Sequence, residues 1–233
     1  MINYIFDIDG TLTPSRLKME KNFELFFRGW MQNKNIFLVT GSDKEKTVEQ
    51  IGIDVWKEAT RVYQSCGNQV WENGNLITEF PFFLEDEIEY HLNKYLNSSE
   101  WKSKFGAHIE QRMGLVNFSI IGRNCSQDDR LSYYKWDQVK KERLSICEDL
   151  MTKFPKIEAS VGGQISIDIY PKGKNKAQIL DDINGEIYFF GDKMDIGGND
   201  YPIARRLILE NRPHTLFKVK NPNDTWDILK RID

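Results

Sequence analysis

Two aspartates, two residues apart at the end of an apolar run, constrain this chain more than any other feature of its 233 residues. The run Tyr4 to Ile8 is rich in aromatic and β-branched residues, and Phe6-Asp7-Ile8-Asp9-Gly10-Thr11-Leu12-Thr13 carries it into a glycine turn. Residues i and i+2 of a strand share a face, and glycine lets the chain turn sharply behind them, so both carboxylates can face one crevice beyond the strand. An Asp-x-Asp-Gly segment also occurs in calcium loops and ordinary turns. A calcium loop needs further acids at alternating positions, and here Leu12, Pro14 and Ser15 follow instead.

Two more apolar runs, Ile36 to Val39 and Ile187 to Phe190, end at Thr40 and Gly191. Between the first two runs, Phe23, Phe26, Phe27 and Trp30 at spacing i, i+3, i+4, i+7 predict a helix that lays an aromatic stripe on a sheet. Strand, helix, strand implies a right-handed crossover and a doubly wound parallel sheet, whose ligands sit beyond the carboxyl ends of the strands. The middle of the chain reads differently. A helix with Leu84, Ile88, Leu92, Tyr95 and Leu96 on one face precedes short strands around Val116 to Ile121 and Ile165 to Ile169. A further helix, with Leu144, Cys147, Met151 and Phe154 in register, lies between those strands. The expected fold is therefore α/β: a doubly wound, Rossmann-like parallel-sheet core formed by residues 1–80 and 173–233, with an inserted α+β cap domain at 81–172. Such an insertion favours a cleft at the junction.

Composition excludes several classes of partner. The 32 basic and 35 acidic residues give a net charge of −3 and form no basic block, so no nucleic acid is expected to bind. The start of the chain is too short and too acidic for a signal peptide, and no segment approaches about 18 consecutive apolar residues. A soluble, cytoplasmic protein with no membrane partner is expected. Cys66, Cys125 and Cys147 lack both zinc-site spacing and disulfide density, and read as reduced thiols.

The segment Asp7 to Thr13 resembles the nucleophile motif of the haloacid-dehalogenase phosphotransferases, which implies Asp7 as the group that attacks phosphorus and Asp9 as the general acid and base. The pairing suits the chemistry: one carboxylate must form an aspartyl-phosphate while its neighbour carries the leaving-group proton. Thr40 and Ser42, just past the second strand, supply hydroxyl donors for a phosphoryl oxygen, although Thr-Gly-Ser is also an ordinary strand-to-helix turn. Lys176 stands where the superfamily places the lysine that pairs with aspartate and phosphate, and a lysine at a helix start opposes the dipole. Gly191-Asp192 through Asn199-Asp200 puts acids in a glycine-rich loop and reads as a Mg2+ site. Asp7, Asp192 and the Asp9 backbone carbonyl are its expected ligands, with Asp200 orienting them.

Over nearly the whole chain the resemblance narrows to the eukaryotic-type phosphomannomutases. It is carried by Asp7 to Arg16, Arg112 to Arg130, Gly162 to Asp168 and Gly191 to Asp200. Arginine forks bind a phosphate dianion in bidentate fashion, and the resemblance implies that Arg112, Arg123 and Arg130 hold the phosphate that is not reacting and that Arg16 also binds substrate. A surface ion pair with Glu110, Asp128 or Asp129 is the plainer reading of any one of them. Ser166 and Asp168 share one face of a strand while Ile165, Ile167 and Ile169 occupy the other, which leaves a polar face for sugar hydroxyls. The resemblance further implies a hexose phosphate substrate, a hexose bisphosphate primer and a homodimer through the cap domains. Two other functions remain open. Thr40 stands where those mutases carry glycine and many phosphatases carry threonine, so a sugar-phosphate phosphatase of the same superfamily is one. A non-catalytic phosphosugar-binding protein is the other, although it would have no need of Asp7, Asp9, Lys176 and Asp192 together.

Overall fold

The computed structural model describes residues 2–232, which form two sheets. In chain order the elements begin with β1 (Ile2–Asp7), α1 (Lys21–Trp30), β2 (Asn35–Val39), α2 (Lys44–Ile51), α3 (Ile53–Glu58), β3 (Arg61–Gln64), β4 (Gln69–Glu72) and β5 (Asn75–Glu79). Next come α4 (Asp86–Ser98), β6 (Ile109–Arg112), β7 (Leu115–Phe118), α5 (Gln127–Lys140), α6 (Glu142–Lys153), β8 (Ile157–Gly162) and β9 (Ser166–Pro171). The chain ends with β10 (Glu186–Gly191), α7 (Tyr201–Leu209), β11 (His214–Lys218) and α8 (Pro222–Leu229).

The larger sheet has the order β11-β10-β1-β2-β3-β4-β5. Its first five strands are parallel, and β4 and β5 extend it antiparallel. After β1 the chain builds outward through β2 and β3, and it later returns on the other side of β1 to lay down β10. The strand order therefore reverses beside β1, which is where an open α/β sheet offers its crevice. Phe6 pairs with Phe190 and Asp7 with Val39, so the carboxyl ends of β1, β2 and β10 finish side by side.

Alternation along β1 assigns its two faces. Tyr4 and Phe6 enter a core with Phe23 and Phe27 of α1, where Phe6 stacks on Phe190 at 4.7 Å between ring centroids. Full burial of such a ring is worth about 1.5–3 kcal/mol. Ile5 faces the other way, onto Ala177, Ile179 and Leu180 of a short 3-10 helix, Lys176–Asp181. Asp7 has the parity of Ile5, so it emerges on the side where that helix begins. The sequence suggested a helix opening near Lys176, and the structure gives two tight 3-10 turns.

The second sheet, β6-β7-β9-β8, is antiparallel throughout. One face packs Phe118, Ile167 and Ile169 against Ile88 and Leu92 of α4 and Ile146 and Leu150 of α6. The strand expected up to Ile121 stops at Phe118, where the Ser119 hydroxyl accepts from the Gly122 amide and closes a turn. Met151 lies at the edge of the α6 stripe with 36% exposure, and Phe154 caps the helix. No helix of the described residues is long and apolar enough to cross a membrane.

Candidate active site

The crevice beyond β1 opens into a cleft bounded by strand ends of the first sheet and by the polar face of the second. Asp7, the last residue of β1, lies at its floor with 3% exposure. Lys176 donates to Asp7 Oδ1 at 2.5 Å and to Asp200 Oδ1 at 2.8 Å, and the Thr11 hydroxyl donates to Asp7 Oδ2 at 3.2 Å. Burial, opposed by Lys176 and reinforced by Asp200 and Asp192, pushes the Asp7 carboxyl well above the ordinary range. Burial alone would lower the Lys176 ammonium, but Asp200 and Asp7 outweigh it and hold it well above its usual value.

Asp9 turns away from this cluster. Its Oδ1 accepts from the Arg16 amide at 2.6 Å and from Gln50 at 3.0 Å, while the residue still lines the cleft. The clamp fixes the carboxylate through Oδ1. Gly10 permits the turn between the two acids: its φ is +91°, and a Cβ there would lie 2.5 Å from Asp192 Oδ2.

Asp192 directly follows β10. Asp7, Asp192 and Asp200 each bring a carboxylate oxygen within 4.8 Å of the others. Burial pushes Asp192 up to about 6, although Lys193 opposes the rise from 2.5 Å. Such mutually destabilised hard oxygens suit Mg2+, which takes one or two carboxylates along with phosphate and water oxygens. Asp200 is spoken for on both sides, by Lys176 on Oδ1 and by the Lys193 amide on Oδ2 at 3.0 Å. It is placed to orient Lys176, whereas Asp7 and Asp192 line the cleft and Asp200 does not. The side chain of Asp9 is outside the cluster. Asp195 pairs with Lys218 at the surface.

Beyond β2, Thr40 Oγ1 accepts from the Ser42 amide at 3.0 Å, and both residues line the cleft. Across from them stand the arginines. Arg112, at the end of β6, forks onto Glu110 at 3.1 and 3.0 Å and donates to the Gly41 carbonyl at 2.7 Å. Arg123 sits in the turn after β7, pairing with Glu110 at 2.9 Å and donating to Ser166 Oγ at 2.8 Å. The plainer reading, pairing with Glu110, thus holds for two arginines, yet both still line the cleft. Arg130 differs. It rises from the first turn of α5, is 5% exposed and has no hydrogen-bond or ion-pair partner for its guanidinium among the described residues. Asp129 is committed instead to a capping box with Ser126. Burial, then the nearby charges of Arg16 and Arg112, push Arg123 down to about 10, and an arriving anion would relieve that crowding.

Several lining residues escaped the sequence reading. Asn117 pairs in register with Asp168 and donates to its Oδ1 at 2.7 Å. A polar residue between Val116 and Phe118 was its signal, because alternation sends it to the face away from the core. Gln164 and Asn199 also line the cleft, and Gln50 clamps Asp9, with no periodicity to announce them.

A family model described as eukaryotic phosphomannomutase matches residues 23–232. The chain is 35% identical to Phosphomannomutase 1 of Dictyostelium discoideum, covering 98% of this chain and 95% of that one. It is 32% identical to the phosphomannomutase of Saccharomyces cerevisiae, over 98% and 92% of the two chains. Among solved structures, the C-terminal domain of the C. albicans trehalose-6-phosphate phosphatase superposes with a TM-score of 0.65 at 15% identity, over 99% of this chain and 91% of that one. A haloacid dehalogenase-like hydrolase from Bacteroides thetaiotaomicron gives 0.58 at 12% identity, over 100% and 99%. These two likenesses speak for the fold alone.

Proposed function

As the chain belongs to the eukaryotic phosphomannomutase family, we propose that it is a phosphoryl-transfer enzyme that interconverts mannose 6-phosphate and mannose 1-phosphate through a phosphoryl group carried on Asp7. The observation that carries this reading is the charge at the two ends of one cleft. A nucleophile clamped by Lys176 and Thr11 lies at the floor, and the unpartnered Arg130 stands with Arg16 and Arg123 among the lining residues. That arrangement suits a substrate with two phosphate positions better than one with a single phosphate.

Each residue has a role in this scheme. An Asp7 carboxylate oxygen attacks phosphorus and forms the acyl phosphate as the ester P–O bond breaks. Asp9, oriented by Gln50 and the Arg16 amide, gives the departing sugar oxygen its proton and later takes one back from the accepting hydroxyl. Lys176 places charge beside the transferring group, and Thr40 and Ser42 offer hydroxyl donors. Asp7 and Asp192 would hold Mg2+, which would neutralise charge on the phosphoryl oxygens. Arg112, Arg123 and Arg130 grip the phosphate that is not reacting, while Asp168 and Ser166 present a polar face to the sugar. A hexose bisphosphate would load Asp7 at the outset.

We take residues 81–172 as the substrate-selecting unit and residues 1–80 and 173–233 as the catalytic one. A cytoplasmic homodimer joined through the substrate-selecting units completes the reading, and light scattering at micromolar concentration tests it. The decisive assay supplies mannose 1-phosphate, magnesium and a trace of glucose 1,6-bisphosphate and follows both mannose 6-phosphate and free phosphate. Isomer without stoichiometric phosphate is the expected result. Phosphate release without isomer would replace the mutase by a phosphatase.

A further inference from the structure

Arg143 lies outside the cleft, on α6, with 1% exposure. Its Nε donates to Asp137 Oδ2 at 2.9 Å, and its own amide donates to Asp137 Oδ1 at the same distance. The far end of the guanidinium does something an ordinary ion pair does not. Nη1 lies 3.3 Å from the Gly162 carbonyl, 3.3 Å from that of Gly163 and 3.2 Å from that of Ser166. These carbonyls belong to the turn between β8 and β9, whose other side lines the cleft through Gly162, Gly163, Gln164 and Ser166.

The turn needs such an anchor. Gly163 has φ +47° and Gly162 carries no side chain, since a Cβ there would lie 2.3 Å from Asp168 Oδ2. Two adjacent glycines leave the backbone with little intrinsic preference. The guanidinium holds both ends at once, Asp137 through Nε and the three carbonyls through the two hydrogens of Nη1 while the buried Nη2 has no partner among the described residues, a span that the compact ammonium of lysine does not reproduce. The other end of the link is equally specific. Arg130, Tyr133 and Asp137 stand at i, i+3 and i+7 on the buried face of α5, so Asp137 reports the position of the helix that carries Arg130. The turn carries Ser166, which accepts from Arg123.

We propose that Arg143 is a positioning residue that ties α5 to the 162–166 turn from behind, so that Arg130 and the Arg123–Ser166 pair face the same hexose phosphate in a fixed relation. The inference rests on the cleft being a hexose phosphate site. A purely structural ion pair would matter equally for every substrate, because replacing or weakening it would act on folding alone. A positioning link acts on the substrates that use both arginines and spares those that use neither.

The test is Arg143→Lys, which keeps a cation beside Asp137 and removes the fork. KM for mannose 1-phosphate is expected to rise about tenfold with kcat changed far less, while hydrolysis of p-nitrophenyl phosphate stays near wild type. Amide exchange of the 162–166 peptide, followed by mass spectrometry, is expected to quicken. A folded variant with wild-type KM overturns the proposal, and so does an equal loss on both substrates. If the lysine variant does not fold, Asp137→Asn decides, since it frees one end of the link: a several-fold rise in KM supports the proposal and an unchanged KM overturns it. Wild-type protein inactive on every hexose phosphate would instead overturn the functional reading. In that case the exchange measurement alone decides on Arg143, with unchanged exchange overturning it.

Discussion

Arg112 donates from the second sheet to the backbone carbonyl of Gly41, in the turn after β2 of the first, across 2.7 Å of the cleft mouth. The bond joins a side chain expected to read substrate to the turn that holds Thr40 and Ser42. It separates Arg112 from Arg130, whose guanidinium makes no hydrogen bond to the first sheet or its loops among the described residues. Hydrogen bonds to charged groups are worth about 1.5–3 kcal/mol, so either alanine variant is expected to lose roughly tenfold to a hundredfold in kcat/KM on sugar phosphates. Only Arg112→Ala should also slow p-nitrophenyl phosphate hydrolysis, because only it releases the Thr40–Ser42 turn. Parallel losses by the two variants on the small ester would contradict this division.

Lys176 is wholly buried between Asp7 and Asp200. Replacing it with methionine leaves two buried carboxylates without their cation, a change that typically costs about 3–5 kcal/mol. For a chain of this size that is a fall in Tm of about 6–20 °C. Asp7→Asn removes a carboxylate whose ionisation burial already opposes, so it should be inactive yet at least as stable as wild type. Thermal melts of the two variants check the contrast, and a destabilised Asp7→Asn would refute it.

Asp168 supplies a pH test. Burial pushes its carboxyl above the ordinary value, with Arg112 and then Asn117 opposing the rise. A raised carboxyl binds its proton more tightly in the folded chain than in the unfolded one. Its contribution is therefore full at pH below the unfolded value and is lost as pH rises through the folded value. Asp168→Asn should accordingly gain stability relative to wild type between acidic and neutral pH. Denaturant titrations at several pH values measure the gap, and a constant gap would remove Asp168 as a perturbed group.

Asp7 and Asp192 repel each other in the absence of a cation. Magnesium should raise Tm, the excess of chelator should abolish turnover, and calcium should inhibit because it prefers a larger and looser oxygen shell. Asp192→Asn should lose most of the magnesium-dependent rise in Tm. Full activity in chelator would remove the metal from the reading.

Burial raises all three thiols, Cys66 and Cys147 beyond reach of neutral pH, and of the three only Cys125 is partly exposed. Thiolate is the reactive form, so a thiol reagent at pH 8 should label Cys125 in the native protein and reach the other two on unfolding. Rapid native labelling of Cys66, read by peptide mapping, would contradict its burial.

The local sequence carried much of this protein. Strand β1 and the paired acids behind it were legible because alternation and a glycine turn act over a few residues. The aromatic stripe of α1 was legible for the same reason, and the polar face of β9 followed from its period of two. Helix α5 was not legible by periodicity, since its buried face is Arg130, Tyr133 and Asp137, and only the Ser126–Asp129 capping box marked its start. The short strand β4 and the edge strands β5 and β11 carried too few apolar residues to stand out. What tertiary structure alone decided was company. Asp7 meets Lys176, 169 residues away, because β1 alternation and the 3-10 helix share one face of the sheet. Arg112 and Arg123 share Glu110 while Arg130 is left without a partner among the described residues, a division that depends on how β6, the turn after β7 and α5 converge. Local propensity acts along the chain, whereas ion pairing and burial act across it, so the sequence named the charged groups and the fold chose which of them would be left to bind substrate.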